Sequence, residues 1–160
     1  MKTYIVKRDQ HKQIKLTEPG EYVIVLSEPG AEAVVVGSFA ANGSDQVMVS
    51  VKVHHTAPNT KATTTLKGAA DDQAFIKFVG SIVIDKNCGS SNSFLTERIL
   101  LLSDSARAEA VPELEILTDD VRCSHAASVS KIPEAQLFYL MSRGVSREEA
   151  KKLVVEGFLT

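Results

Sequence analysis

The stretch Glu18-Pro19-Gly20-Glu21-Tyr22-Val23-Ile24-Val25-Leu26-Ser27-Glu28-Pro29-Gly30 carries the plan of most of the chain: a turn, a short β-branched run, and the same turn ten residues later. Glu-Pro-Gly is turn chemistry, whereas Tyr22 to Leu26 suits a pleated surface. Working outward, the alternation continues in both directions. Strands are predicted at Thr3 to Val6, Gln13 to Leu16, Glu21 to Leu26, Ala33 to Phe39, Gln46 to His54, Lys61 to Leu66, Ala74 to Val83, Ser93 to Leu102, Glu113 to Leu117 and Val121 to His125. Asn42-Gly43, Pro58-Asn59, Lys67-Gly68, Asn87-Cys88-Gly89 and Ser103-Asp104 read as turns between them. Strands recurring roughly every 8 to 12 residues belong to a sandwich, a barrel or the rungs of a β-solenoid, and spacing does not choose among these. Val34-Val35-Val36 and Ile82-Val83-Ile84 are apolar at consecutive positions, which predicts strands covered on both faces.

The pattern changes at Pro133. Of 18 valines, 15 precede it, so the chain divides into a β region over 1–132 and a helical tail over 133–160. Leu137, Leu140 and Met141 fall at helical spacing, and Gly144 is placed to end that helix. Ser146-Arg147-Glu148-Glu149 is a capping box that opens a second helix, with Ala150, Leu153, Val154, Gly157 and Phe158 as its apolar stripe. The chain is predicted to end in an αα-hairpin.

Composition sets the remaining bounds. The 160 residues are 44% hydrophobic and contain no Trp, which calls for an aliphatic core. Twenty acidic against 18 basic residues, net −2, leave no electrostatic footprint for nucleic acid or anionic lipid. No apolar run approaches the ~20 residues of a membrane span, and the first residues lack the apolar core of a secretory signal, so the expected location is the cytoplasm. Two cysteines are too few for a disulfide framework and are expected to be reduced thiols.

Chemistry concentrates in Asp119-Asp120-Val121-Arg122-Cys123-Ser124-His125. On a strand, Val121, Cys123 and His125 share one face, and Cys and His two residues apart, ~7 Å along the strand, can reach one metal ion or cluster. The same pair equally suits a buried thiol and a hydrogen-bonded core histidine. His54 and His55 are adjacent and therefore on opposite faces, so a complete zinc site within one chain is not expected, and any metal would draw ligands from a second chain. Cys88, between Asn87 and Gly89, is a candidate exposed thiol. Asp71-Asp72 and Asp119-Asp120 read as solvated turn charges, and Lys2, Lys7, Arg8 and Lys12 as a basic cluster serving solubility. No nucleophile elbow, P-loop, dinucleotide fingerprint or HExxH motif is present, and no enzymatic activity is predicted.

Several blocks, in order and spacing, resemble the C-terminal core of the SufB/SufD family: Leu100 to Ala106, Pro112-Glu113-Leu114-Glu115-Ile116, Asp119 to Ala127, Gln136-Leu137-Phe138-Tyr139-Leu140-Met141-Ser142-Arg143-Gly144-Val145, Glu149-Ala150 and Glu156-Gly157-Phe158. The resemblance spans about residues 54 to 160. It implies a mainly β protein, a right-handed parallel β-helix with short C-terminal helices, acting as a non-enzymatic scaffold in SUF iron–sulfur cluster assembly. It further implies pairing through the β-helix, as a homodimer or with a SufB-like chain, and docking of a SufC-like ATPase on the C-terminal helices. By this resemblance His125, then Cys123, then Cys88 are candidate ligands for a transient Fe–S cluster. Leu137, Phe138, Tyr139, Arg143, Leu153 and Phe158 are candidates for the ATPase-docking surface.

Departures from the family pattern refine this. Glu97 stands where SufB-type subunits carry a cysteine, and Ala126 where a Glu follows the SufB histidine; both favour a SufD-like role. Ala126-Ala127-Ser128 and Pro133 are milder changes, and no long N-terminal helical region precedes the β-helix. Two further readings stay open: a structural dimerisation module without cluster binding, and a small β-solenoid enzyme with a cleft. A solenoid this short has open ends, one of which the hairpin is expected to cover and a second copy the other.

Overall fold

The computed structural model describes residues 1–160. Ten strands precede two helices: β1 Lys2–Val6, β2 His11–Leu16, β3 Gly20–Leu26, β4 Glu32–Ala41, β5 Gln46–His55, β6 Lys61–Ala70, β7 Phe75–Ile84, β8 Ser91–Leu101, β9 Arg107–Ile116, β10 Val121–Lys131, α1 Glu134–Ser142 and α2 Arg147–Leu159. Odd-numbered strands form one sheet in the order β1-β3-β5-β7-β9, which we call sheet A, and even-numbered strands form sheet B in the order β10-β8-β6-β4-β2. Every pairing is parallel. A chain that changes sheet at each turn and returns beside the strand before last is a parallel β-solenoid, which decides among the three architectures the strand spacing allows.

Alternation of side chains does the rest. In sheet B, Ile14, Val35, Thr64, Leu95 and His125 stack as one inward column, and Leu16, Gly37, Leu66, Glu97 and Ala127 as the next. In sheet A, Ile24, Val53 and Ile82 form an inward column that continues to Leu114. The two inner faces meet in an aliphatic core that includes Ile24, Val35, Leu66, Ile76 and Phe78, all fully buried. Phe78 meets Phe39 edge to face at 5.8 Å. The core fits where glycine opens space: a Cβ on Gly68 would come within 3.0 Å of the Phe78 ring and 3.2 Å of Ile76. Lys67-Gly68 is therefore interior strand, not a turn; the glycine answers a packing demand.

Three strands run longer than their local sequence predicts. β9 begins at Arg107 and passes through Pro112, which is tolerated because β9 is an edge strand. β10 continues beyond His125 through Ala126 to Lys131, a run of small and polar residues held extended by pairing with Thr96 to Leu101 of β8. β6 likewise extends to Ala70.

The tail is an αα-hairpin as predicted. The Ser146 hydroxyl accepts from the Glu149 N–H at 3.2 Å, one half of a capping box; the return bond from the Glu149 carboxylate is not made. Gly144, at φ 90°, lets the chain reverse, and Arg147 holds Glu134 through two bonds of 3.0 and 2.6 Å. The hairpin does not cover an end of the solenoid, contrary to expectation. Leu137 and Ala150 bury themselves with Leu100 and Ile132 on the outward face of sheet B. α2 then crosses that face: Phe158 lies under Arg98 and Lys67, and Ser38 Oγ donates to the Leu159 carbonyl at 2.7 Å. Coverage of both faces therefore holds only in part, since Val36 on the same outer face remains 44% exposed.

The ends differ. At β1/β2 the inward position of the last column is Lys12, whose ammonium lies 5.7 Å from the Tyr4 ring and 3.4 Å from the Ile5 carbonyl. A charge laid across an open end opposes addition of another strand. At β9/β10, Leu114, Ile116, Leu117 and Val129 are 39–51% exposed, three of them (Leu114, Ile116 and Val129) at inward positions.

Phe78→Ala is expected to cost about 3–5 kcal/mol in urea unfolding, the loss of a large side chain from a site that cannot collapse. A cost below about 1 kcal/mol would contradict the place given to Phe78 in the core.

Candidate functional site

Cys123 and His125 share the inward face of β10 with Val121, as alternation predicts. The fold adds a partner that sequence proximity hides. Glu97 lies one coil earlier on β8, inward in the neighbouring column, and its Oε2 is 3.3 Å from His125 Nε2. Both side chains are enclosed, 0% exposed for Glu97 and 2% for His125. Space for them comes from Gly80 on β7, where a Cβ would stand 2.8 Å from Glu97 Oε1, 2.8 Å from His125 Cε1 and 2.7 Å from Leu95 Cδ2. A signal for Glu97 existed in Leu95-x-Glu97-x-Ile99, a carboxyl at an inward position of an alternating strand.

The electrostatics follow from enclosure. Burial lifts the Glu97 carboxyl to about 7 and pushes the His125 imidazole below its ordinary range. The pair is therefore not a buried ion pair of carboxylate with imidazolium; near neutrality the two share at most a single proton beyond the neutral imidazole. Glu97 Oε1 and His125 Nδ1 are both buried without a hydrogen-bond partner. Such orphaned groups cost about 1–3 kcal/mol each and call for an explanation.

Cys88 is not the exposed thiol its turn sequence suggests. It is buried with Ile82, Ile84 and Leu95, and Cys123 packs against that cluster. Burial raises both thiols, with Asp85 adding to the rise at Cys88, so in the isolated chain both are protonated. A second polar group lies in the same interior: His55 Nδ1 is 2.7 Å from Thr60 Oγ1, which is 2.9 Å from Ser91 Oγ. His54 points outward to Asp85 at 2.9 Å, confirming the split of the histidine pair. No three His, Cys, Asp or Glu side chains converge within the chain. Five surface hollows of the chain are lined by residues other than Glu97, Cys123 and His125. The donor set of one chain, one imidazole and a protonated thiol near a carboxyl, does not by itself complete a cluster site.

On the helices, Phe138 and Tyr139 are 73% and 58% exposed, Leu153 is 47% exposed, and the Arg143 guanidinium stacks 5.3 Å from the Tyr139 ring. Leu137 is buried and Phe158 is clamped beneath Arg98, so these two hold the hairpin on the sheet.

The family model for the SUF system FeS cluster assembly SufBD core domain matches residues 18–158. The chain belongs to the SufBD core family. Similar proteins include an iron–sulfur cluster assembly SufBD family protein of Mycobacterium leprae, 33% identical over 92% of this chain and 41% of its own length. A SufBD family protein of Staphylococcus saprophyticus is 32% identical over 91% of this chain and 31% of its length. The iron–sulfur cluster assembly protein SufB of Bacillus subtilis is 31% identical over 84% of this chain and 29% of its length. The chain thus spans between about three tenths and two fifths of the length of these relatives. Within the SufBD core, residues Cys123, His125 and Glu97 all fall in the matched region.

The Glu97 environment has a pH signature. Between about 4.5 and about 7 the unfolded carboxyl is ionised while the folded one stays protonated, so this group lowers stability as pH rises through that window. The stability gained on Glu97→Gln should therefore grow from pH 5 to pH 8, by roughly 1–3 kcal/mol. His125 has the opposite sign but is common to both proteins. Parallel urea curves whose separation is the same at the two pH values would refute the raised carboxyl.

Proposed function

We propose that this chain is a SufD-like, non-enzymatic scaffold of SUF iron–sulfur cluster assembly, working in the cytoplasm. It pairs through the bare β9/β10 end with a second copy or a SufB-like chain, handles a transient Fe–S cluster as cargo, and docks a SufC-type ATPase on its C-terminal helices. The observation that carries the reading is the inward Cys123–His125 pair on the last, unstacked coil of a SufBD core. Soft cargo needs thiolate and imidazole donors, and one chain supplies too few, so a paired chain completes the set. Cys88 and Cys123 are the sulfur donors of this chain and His125 the nitrogen donor. Their raised thiols fit transient holding, since a metal must displace each proton. Glu97, in the place of the SufB cysteine, favours the SufD-like type.

A second reading is favoured by one specific observation: both thiols are protonated and half or fully buried in an apolar cluster. On that reading the core is a structural dimerisation module without cargo. Anaerobic incubation of the full chain with ferrous iron and sulfide separates the two. A brown species with visible absorbance, reduced at least several-fold in Cys123→Ser and His125→Ala, is expected; a colourless protein favours the structural module.

For docking, the exposed aromatics of α1 are the anchor. Phe138→Ala with Tyr139→Ala is expected to weaken binding to a SufC-type ATPase by at least about tenfold in isothermal titration, with Tm unchanged because neither side chain is buried. Undiminished affinity in that double variant would remove the hairpin from the interface.

A further inference from the structure

We propose that Glu97 is a positioning residue for His125, its Oε2 accepting from Nε2–H so that Nδ1 is the ring nitrogen left to donate to cargo. This rests on the cluster-carrying reading and extends it by naming the ligating atom and the group that selects it.

Four observations converge. Oε2 and Nε2 are 3.3 Å apart with both side chains enclosed, so the contact is not one of many solvated arrangements. The ring also packs over Gly80, in space that a Cβ would fill, since a Cβ there would stand 2.8 Å from Cε1. Nδ1 is buried and has no partner. Finally, His125 ends its column, with no strand stacked beyond β10.

The chemistry follows from the inventory of donors. A neutral imidazole carries one N–H, and a carboxylate offers acceptors only, so the nitrogen facing Glu97 bears the proton and the other bears the lone pair. This selection belongs to the ionised carboxyl, because a protonated Glu97 carries an O–H that can donate to a bare Nε2. Carboxyl groups behind ligating histidines select the tautomer and orientation in metal sites generally, and their loss costs about 10–100-fold in metal affinity. The orphaned Nδ1 then has an explanation: its missing partner is the ligand.

The test uses the full-length chain labelled with 15N-histidine, at pH 8, above the value of about 7 to which burial lifts Glu97. Two-bond 1H–15N spectra report which ring nitrogen carries the proton. His125 is expected in the Nε2–H form in the wild-type chain and in Glu97→Gln, whose amide oxygen still accepts, and in a mixture or the Nδ1–H form in Glu97→Ala. A wild-type chain with Nδ1–H, or Glu97→Ala with an unchanged tautomer, overturns the proposal; the wild-type spectrum alone decides should Glu97→Ala fail to fold. Titration with ferrous iron under anaerobic conditions is expected to shift the Nδ1 resonance and to be about tenfold weaker in Glu97→Ala, with affinity restored in Glu97→Gln. A shift at Nε2 instead also overturns it. Absence of any iron or cluster binding by the wild-type chain defeats the cluster-carrying reading, while the tautomer result stands or falls separately.

Discussion

The inward columns between the two sheets support everything else in this molecule. Parallel strands hold each other only through slanted backbone bonds to a neighbour many residues away in sequence, so a coil is stable only when its inner side chains fill the space between the sheets. Ile24, Val35, Leu66 and Phe78 do this, and Gly37 and Gly68 make way for the larger rings and branches beside them. Because each column passes through every coil, what a coil places inward depends on what the next coil places above it.

That dependence explains the unusual chemistry at the last coil. Two mostly apolar columns carry polar groups in the last coils: one runs Ile14, Val35, Thr64, Leu95 to His125, the next Leu16, Gly37, Leu66, Glu97 to Ala127. An aliphatic environment below and a packed glycine opposite desolvate both, raising the carboxyl and lowering the imidazole. A wholly structural core would gain by ending these columns in Leu or Val, since apolar residues avoid the cost of orphaned polar atoms. The two ends of the solenoid are also treated differently, one crossed by the Lys12 ammonium and the other left with open inward leucine and isoleucine. The end with exposed inward apolar side chains is the one that carries Cys123, His125 and Glu97.

Much of this was legible before folding. All ten strands, both helices, the Ser146 cap and the Gly144 stop are written in local chemistry, since β-branched runs, turn triplets and capping residues act over a few positions. The shared face of Cys123 and His125 follows from alternation alone. What local chemistry misjudged were segments whose state is set by a distant partner. Lys67-Gly68 carries a turn signature but sits under Phe78; Ala126 to Lys131 has little β propensity but pairs with β8; Cys88 has a surface context but its side chain fills a corner of the core.

The sequence by itself determined the elements, their alternating faces and membership in the SufBD core, because those depend on side-chain type, local spacing and the order of residue blocks. Only the tertiary structure decided that Glu97 meets His125, that the hairpin lies on the outer face of sheet B, and that one end is left open. Each of these turns on register between strands about one coil apart, a quantity set by how many residues every intervening turn consumes and by which side chains fit together between the sheets.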